Sequence, residues 1–385
     1  MTTLTLRSIS IPLLTVLLAL FLGSCEPVPR KHALDTSQAE MMVSFLRRVN
    51  AGEDSANLID SLMRMEGTGL IVGQLNLSRR VLPGQYRTVL EGLAHGAFPD
   101  IKPADSTVLS IRGIEGLKRG VWRALTWGVK NTDLLSGQID SIKQVDIYEE
   151  AKRTALAFLP ENVALEPRLF VVAGGRAGAA AIEGKGIYLD ILVMTGSRLA
   201  RGLPLLTRAE YVEFFAHEVH HLGLGDILQR RYGSVPMDLS QRQLFTLLKS
   251  IISEGVPTYF INSHRNPDEV PATVPIADKE MSVTEALRWT QDLTRRIIQR
   301  EFSTEDEFER ANLLMTGMGY HNLGAHMMSV IDRAGGKERV MEAILDPPLL
   351  LKHYNGAVQS SQNPAEHFQF EPDLVAAAAR LSMAN

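Results

Sequence analysis

Cysteine is almost missing from this chain of 385 residues, which contains Cys25 and no other. A disulfide bond within one chain is therefore excluded, and the fold has to be stabilised by its hydrophobic core. Hydrophobic residues make up 45% of the sequence, and a chain of this length can bury a core that is large enough for this purpose.

A long basic run is missing as well, and the formal net charge is −4. Proteins that bind nucleic acids neutralise phosphates with clustered lysines and arginines, so the sequence gives no support to a nucleic-acid partner. Glycine motifs that bind nucleotides are also absent. Gly184-Lys185 is followed by Gly186 instead of the Ser or Thr of a phosphate loop, and the dinucleotide pattern G-x-G-x-x-G does not occur.

The apolar stretch from Ile9 to Leu22 is too short to span a bilayer comfortably, because a membrane-spanning helix needs about 20 residues. Arg7 precedes it, as a basic residue does in secretory signal peptides. The tetrapeptide Leu22-Gly23-Ser24-Cys25 follows, with the leucine and two small residues that precede the lipid-modified cysteine of bacterial lipoproteins. The alternative is a coincidental cysteine after an ordinary signal peptide.

These features predict a lipoprotein signal peptide over residues 1–24 and a mature chain that begins at an acylated Cys25. Residues 25–37 then form an extended tether. The protein is expected to be a bacterial membrane lipoprotein, with the membrane as a partner through Cys25. Glu26 instead of Asp follows the cysteine, which resembles the sorting pattern of outer-membrane lipoproteins that face the periplasm or the cell surface.

One pentapeptide concentrates the chemistry of the chain, namely His217-Glu218-Val219-His220-His221. Its pattern H-E-x-x-H places His217 and His221 one turn apart on the same face of a helix, where both imidazoles can hold one metal ion. Glu218 projects beside them and can take a proton from a metal-activated water. His220 points away from that face.

The surrounding residues predict the helix that this motif requires. Thr207 and Glu210 form a capping box at its start, and Gly223 and Gly225 are predicted to end it. The alternative is a histidine-rich helix end with solvated imidazoles. Apolar residues recur at spacings of three and four and give the helix one apolar side: Tyr211, Phe214, Phe215, Val219 and Leu222.

A catalytic zinc site needs a third protein ligand besides the water. A third histidine in H-E-x-x-H-x-x-G-x-x-H would require Gly and His where the chain has Leu224 and Ile227. The remaining candidate is Glu254, at the end of an apolar helix and next to Gly255, where an unpaired carboxylate would be costly. The alternative is an ordinary solvated carboxylate.

With these residues the chain resembles the gluzincin class of zinc metallopeptidases, which combine H-E-x-x-H with a glutamate some tens of residues downstream. The segment from Ser253 to Tyr259 is similar to the E-G-x-x-x-Y element of little-studied bacterial families of zinc-dependent proteases. The resemblance covers residues 165–350. Thr258 stands where better-known members have an aspartate behind the metal ligands, and no G-x-M-E-N exopeptidase element precedes the helix.

The resemblance implies a mainly α fold with a small β element and a zincin-like architecture. It also implies that one Zn²⁺ is held by His217, His221 and Glu254. The activity that follows from it is hydrolysis of peptide bonds in a peptide or protein substrate, with Glu218 as general base.

Hydrolysis of an amide passes through an oxyanion, which a Tyr or His donor beside the metal stabilises. By resemblance Tyr320 is the first candidate for this catalytic donor, and His321 and His326 follow. The alternative is that all three are core or surface residues of a methionine-rich helix. His321 and His326 are five residues apart, so they do not share a helix face as a second metal site would require.

The predicted organisation places a helical region at residues 38–160, a zincin-like catalytic region at 161–350, and a tail with a short helix at 351–385. Strands are expected at Leu169–Val172 and Gly186–Ile191, as an antiparallel pair joined by a glycine-rich loop. By resemblance, a strand of this kind flanks the cleft and pairs with an extended substrate.

Two other functions fit the same residues. An inactive or structural-zinc lipoprotein could use these ligands and work as a binding module, and a closed site with a fourth protein ligand would favour that reading. The same open site could also hydrolyse an amide or ester that is not a peptide.

The lipid anchor is tested by the substitution Cys25→Ala. We expect it to abolish labelling of the protein with a fatty-acid analogue and to release the protein into the soluble fraction, since the thiol is the acylation site. If wild-type protein carries no lipid and leaves the membrane in a salt wash, the lipoprotein prediction is wrong.

Overall fold

The computed structural model describes residues 34–79, 81–101, 114–144, 146–160, 163–176, 178–182, 185–262, 271–277, 279–315, 318–364 and 367–382. Cys25, the predicted signal peptide and most of the predicted tether lie outside these residues. The lipid anchor and the three predicted regions of the mature chain therefore stay predictions. Among the helices that are described, none combines the length and apolar composition needed to cross a membrane.

Most of the described chain is helical, and several helices begin at a residue that caps them. The side chains of Thr207, Asp238 and Ser282 each accept a hydrogen bond from the backbone N–H three residues later. In chain order the helices are α1 (Ser37–Ala51), α2 (Ala56–Arg64), α3 (Glu66–Arg79), α4 (Pro83–Ala94), a π-helix (Leu117–Trp122), α5 (Arg123–Val129), α6 (Thr132–Lys143), α7 (Tyr148–Leu156), α8 (Ile191–Ala200), α9 (Arg208–Tyr232), α10 (Leu239–Phe260), α11 (Val283–Ile298), α12 (Glu305–Asn312), a 3₁₀ turn (Leu313–Met315), α13 (Met318–Leu345, with a break at Gly336), a 3₁₀ turn (Pro347–Leu349), α14 (Leu350–Gln359) and α15 (Pro372–Ala379).

Within the described residues, two small sheets complete the fold and confirm the predicted class, mainly α with a small β element. The larger sheet has the strand order β1-β2-β4-β3, and the smaller one pairs β5 with β6. The strands are β1 (Leu34–Asp35), β2 (Leu169–Val172), β3 (Ala179–Ile182), β4 (Gly186–Asp190), β5 (Thr273–Ile276) and β6 (Lys279–Ser282).

The predicted antiparallel pairing of the first two long strands is wrong. β2 and β4 are parallel, with Phe170 opposite Tyr188, while β3 is antiparallel to β4, with Ala180 opposite Tyr188. The glycine-rich segment carries the chain past the position of β4 to β3, and the chain then turns back into β4. This route makes β3 the antiparallel edge strand of the sheet.

Two hydrophobic cores meet along α9. Its first half, with Phe215 and Val219, belongs to a core that includes the larger sheet and the N-terminal helices. Its second half, with Leu224 and Leu228, belongs to a core built by α10 and the helices that follow it. The H-E-x-x-H motif therefore lies at the boundary between the two cores.

The prediction that glycines end this helix is also wrong, because α9 continues to Tyr232. A Cβ atom at Gly223 would lie 2.3 Å from Cδ1 of Leu159 and 2.9 Å from Cδ1 of Leu165. The glycine is thus explained by close packing against the segment after α7, and its helical backbone needs no special conformation.

Helices α10 and α13 cross with their backbones in contact at two glycines. A Cβ atom at Gly255 would lie 2.4 Å from the carbonyl carbon of Gly324, and one at Gly324 would lie 2.2 Å from the carbonyl oxygen of Ile251. Both distances are too short for any side chain. The glycine of the E-G element therefore fixes how closely the Glu254 helix approaches α13.

This crossing gives a testable prediction. Gly255→Ala or Gly324→Ala forces the two backbones apart, and overpacking of this kind costs about 1–3 kcal/mol or more. We expect a lower free energy of unfolding in denaturant titrations together with reduced zinc content. Gly225→Ala on α9 is the matched control, since a Cβ there meets nothing within 4 Å. Equal stability of the control and the two crossing variants would contradict the role of this contact.

Candidate metal centre

The start of α9 sets the orientation of the motif. Thr207 donates its backbone N–H to the Glu210 carboxylate at 2.7 Å, and the Thr207 hydroxyl accepts the N–H of Glu210 at 3.3 Å. This is the capping box that the sequence predicts. From this fixed end, the helical repeat brings His217 and His221 to one face, with ring centroids 4.7 Å apart.

The third member of the cluster comes from α10. Oε2 of Glu254 lies 3.3 Å from Nε2 of His217 and 3.4 Å from Nε2 of His221. Atoms of these three residues that can bind a metal all lie within 4.8 Å of one another. Two imidazole nitrogens and one carboxylate oxygen form a donor set that zinc prefers in catalytic sites, so the residues present fit this metal.

The remaining nitrogen of each imidazole also has a neighbour. Nδ1 of His221 lies 2.9 Å from Oγ of Ser253, and Nδ1 of His217 lies 3.4 Å from the carboxamide of Asn262. The Asn262 oxygen has no partner among the described residues, so a half-turn of this amide would let it accept the His217 Nδ1–H. Hydrogen bonds from the second nitrogen are what orients a histidine that binds metal through Nε2.

The electrostatics of the cluster favour a positive charge at its centre. Burial alone would raise the pKa of Glu254, but His221, His217 and His321 outweigh it and hold that pKa well below its ordinary value. Burial acts to lower the pKa of His221, yet the Glu254 charge raises it to about 9. For His217 burial prevails, and its pKa is lowered. An ionised carboxylate thus lies between two imidazoles.

Glu218, the predicted base, follows His217 on α9 and is half-buried. Burial raises the pKa of Tyr188, and the charges of Asp190 and Glu218 add to this effect. The Glu218 carboxylate is therefore within electrostatic reach of β4, whose Tyr188 is opposite Ala180 of the edge strand.

The structure brings His321 to the cluster and leaves Tyr320 outside it. Nδ1 of His321 lies 3.0 Å from Oε2 of Glu254 and 3.1 Å from Oγ1 of Thr258. The Tyr320 hydroxyl instead donates to the side chain of Asn312, and its ring is buried in the second core. Successive helical residues point about 100° apart, so only one of these two neighbours can face Glu254.

Two further histidines considered in the sequence analysis, His220 and His326, lie outside the cluster. His220 is fully buried, and its Nε2 lies 3.1 Å from the carbonyl oxygen of Phe158. Burial lowers the pKa of His220 to about 3, so the ring is neutral and donates to that carbonyl. His326 lies beside Tyr354, with ring centroids 6.4 Å apart.

Sequence reasoning missed the residues that support the cluster, namely Ser253, Asn262 and the contact of Thr258 with His321. One signal was present in the chain. Gly255 follows Glu254 directly, and Gly324 lies three residues after His321. Glycines close to candidate site residues on two helices indicate that the helices cross closely there. Nothing local in the sequence tells which helices cross.

One comparison with known proteins is positive. The family model described as "Putative zinc dependent peptidase (DUF5700)" matches residues 124–363, which is more than half of the chain. The matched segment includes all residues of the cluster. No curated protein and no solved structure matches the chain. By the extent of the family match, the chain belongs to this family, whose description is that of a zinc-dependent peptidase.

Proposed function

We propose that this protein is a zinc metallopeptidase that hydrolyses peptide bonds outside the cytoplasm while Cys25 anchors it to a membrane. The observation that carries the catalytic part is the convergence of His217, His221 and Glu254 on one point. Membership of the zinc-dependent peptidase family supports the same reaction class. The anchor is supported by the sequence pattern before Cys25 alone.

In this proposal His217, His221 and Glu254 hold the metal. When bound there, zinc supplies a Lewis acid that polarises the scissile carbonyl and makes water more acidic. Glu218 accepts a proton from the attacking water and then passes it to the leaving amine, so one carboxylate serves both steps.

We assign the hydrogen bond to the oxyanion to His321, instead of Tyr320, which was the first candidate from the sequence. Its Nδ1 contacts Glu254, so Nε2 is the ring nitrogen that we assign to the substrate oxyanion. Thr258 steadies the same ring from α10. In this proposal one hydrogen bond, between His321 and Glu254, joins the oxyanion donor to the third ligand.

The substrate is proposed to lie along the edge strand β3. β3 pairs with β4 on one side and ends the sheet on the other, and α9 packs against it. An extended peptide can add to such an edge through backbone hydrogen bonds, which puts its scissile bond beside the motif helix. Endopeptidase and exopeptidase activity are both compatible with this placement.

Zinc analysis of purified protein tests the ligand set. We expect close to one equivalent of zinc per wild-type chain, with most of it lost in His217→Ala and in His221→Ala because each removes a ligand. His220→Gln is the matched control, since it keeps a donor for the Phe158 carbonyl and should keep the metal. Equal loss in all three variants would make His220 a ligand and overturn the proposed site.

The variant His321→Ala distinguishes a catalytic site, in which water is the fourth ligand, from a closed site, in which His321 is the fourth ligand. If His321 is not a ligand, the variant retains zinc and loses hydrolysis, because the ring then contacts Glu254 and the substrate without binding the metal. Loss of zinc along with activity would make His321 a fourth ligand. That result would favour the structural-zinc lipoprotein that works as a binding module.

A further test separates ligand from base. Glu218→Gln should keep zinc and lose about 10²–10⁴-fold in kcat/KM on a susceptible peptide, as expected for loss of general acid–base catalysis. Glu254→Gln should lower the zinc content, because a neutral amide is a poorer ligand than a carboxylate. A screen of peptide mixtures by mass spectrometry supplies the substrate. Wild-type zinc content and wild-type activity in Glu254→Gln would contradict the assignment of Glu254 as the third ligand.

A further inference from the structure

An exposed apolar loop connects α8 to α9, away from the residues assigned to catalysis. We call residues 199–204 the leucine loop, because Leu199 and Leu203 in it are 41% and 40% exposed, with Pro204 exposed beside them. Single exposed leucines are common on soluble proteins and need no explanation. Two leucines on one turn instead place apolar surface at one point of the molecule, where a partner can cover it.

The leucine loop is tied to both of its flanking helices. Gly202 has a φ of 70°, and the backbone N–H of Leu203 donates to the carbonyl oxygen of Arg198 at 2.9 Å, so the chain turns sharply at the end of α8. The Arg198 side chain donates through Nε to the Pro204 carbonyl at 2.6 Å and pairs through Nη1 with Glu210 of α9 at 2.8 Å. Both leucine side chains are thus presented to solvent by a loop that is fixed at its two ends.

The charge that surrounds the leucine loop is positive. The stretch from the start of α8 to the start of α9 contains three arginines and neither Asp nor Glu. Arg198 and Arg208 pair with Glu210 and Glu150 from outside this stretch, whereas Arg201 is exposed and has no carboxylate partner among the described residues. Apolar side chains next to a cation suit the surface of an anionic bilayer, where the acyl boundary takes the leucines and the headgroups take the charge.

A second group of exposed apolar side chains has the opposite charge next to it. Leu313, Leu314 and Met318 are exposed, and they follow α12, which carries four carboxylates and one arginine. Negative charge of this kind is repelled by anionic headgroups. Of the two groups, the leucine loop is therefore the one whose charge matches an anionic bilayer.

The described chain begins at an end of the larger sheet that α7 contacts. Leu34 starts β1 and lies opposite Leu169, the first residue of the parallel strand β2. Three residues before Leu169, the Glu166 carboxylate accepts a hydrogen bond from Nζ of Lys152 on α7 at 2.6 Å. The helix α7 therefore packs beside the point at which the chain enters the fold.

The leucine loop lies at the same end of the sheet. Arg208, five residues after Leu203, pairs with Glu150 in the first turn of α7 and donates to the Asp146 carbonyl at 2.9 Å. The course of α8 agrees with this placement, because the helix starts directly after β4, packs on β2 and β4, and so returns toward the end where these strands begin.

This placement relates the leucine loop to the proposed lipid anchor. Cys25 precedes Leu34 by nine positions, and a chain of that length reaches about 30 Å at most. A bilayer attached at Cys25 is therefore held within reach of the end of the sheet that carries the leucine loop.

We propose that the leucine loop inserts into the headgroup region of the bilayer to which Cys25 is attached, with Leu199 and Leu203 as apolar contacts and Arg201 against anionic headgroups. The proposal rests on the proposed function through the lipid anchor. A contact of this size is reversible on its own, so the lipid and the loop act together. His217 lies nine residues beyond the first residue of α9, about 14 Å along the helix, so this contact keeps the metal centre near the bilayer surface.

Vesicle sedimentation tests the contact without the lipid. The chain from Cys25 to Asn385, made without the signal peptide, is not acylated and keeps every described residue. It should bind vesicles of phosphatidylglycerol and phosphatidylethanolamine in equal parts. The double variant Leu199→Ser/Leu203→Ser should lower the partition coefficient about tenfold or more, because the apolar area that enters the bilayer is lost.

The double variant Leu313→Ser/Leu314→Ser is the matched control, since it removes two leucines that are equally accessible but lie beside acidic α12. It should change the partition coefficient less than about twofold. Equal losses in the two double variants, or no binding of the wild-type chain to these vesicles, would overturn the membrane contact.

Arg201→Gln tests the charge separately and changes one exposed side chain. It should weaken binding to the phosphatidylglycerol vesicles about fivefold and leave binding to pure phosphatidylcholine vesicles unchanged. Unchanged binding to both kinds of vesicle would overturn the role of anionic headgroups.

Two further measurements separate the leucine loop from other occupants and from the anchor. A wild-type dimer in sedimentation equilibrium that Leu199→Ser/Leu203→Ser dissociates would assign the loop to a second copy of the chain and overturn the proposal. If mass spectrometry of the protein from cells finds no lipid on Cys25 while vesicle binding depends on the loop, the anchor fails and the membrane contact stands. Lipid on Cys25 with vesicle binding that ignores the loop variants would overturn the contact and leave the anchor.

Discussion

The Glu254 carboxylate, half-buried beside three imidazoles, is the constraint on which the rest of the site depends. A negative charge that is partly removed from water is costly unless it is paired or binds a metal, and three imidazoles within 3.4 Å of Glu254 meet this need. His217 and His221 reach it from α9, and His321 reaches it from α13. The contact of Gly255 with Gly324 lets the helices come close enough for these hydrogen bonds. The packing of α9, α10 and α13 thus brings three imidazoles to the charge of Glu254.

This arrangement explains why the centre suits zinc and catalysis together. Glu254 offers an anionic oxygen between two imidazole nitrogens, and Ser253 and Asn262 lie beside the other nitrogen of each ring, where they can orient it. His321 contacts the same carboxylate without joining the group of three ligands. In the proposed mechanism its Nε2 faces the substrate and donates to the oxygen on which negative charge develops.

The sequence predicted the local features and, through the family resemblance, the approach of Glu254, but it missed the other tertiary contacts. The helix that carries H-E-x-x-H and its capping box depend on residues within a few turns of each other, so local sequence patterns predict them. Gly223 allows close packing against Leu159 instead of ending α9, and the parallel pairing of β2 with β4 depends on where β3 lies. The choice of His321 over Tyr320 likewise depends on how α13 is rotated against α10. Such contacts join distant segments, and no local pattern reports them.

Anomalous diffraction from crystals of the zinc-loaded protein, measured on both sides of the zinc edge, tests the central claim most directly. The account predicts one zinc peak per chain, at about 2.0–2.2 Å from Nε2 of His217, Nε2 of His221 and an oxygen of Glu254, with the fourth position held by water. A peak elsewhere, or a fourth protein ligand such as His321 in place of water, would contradict it.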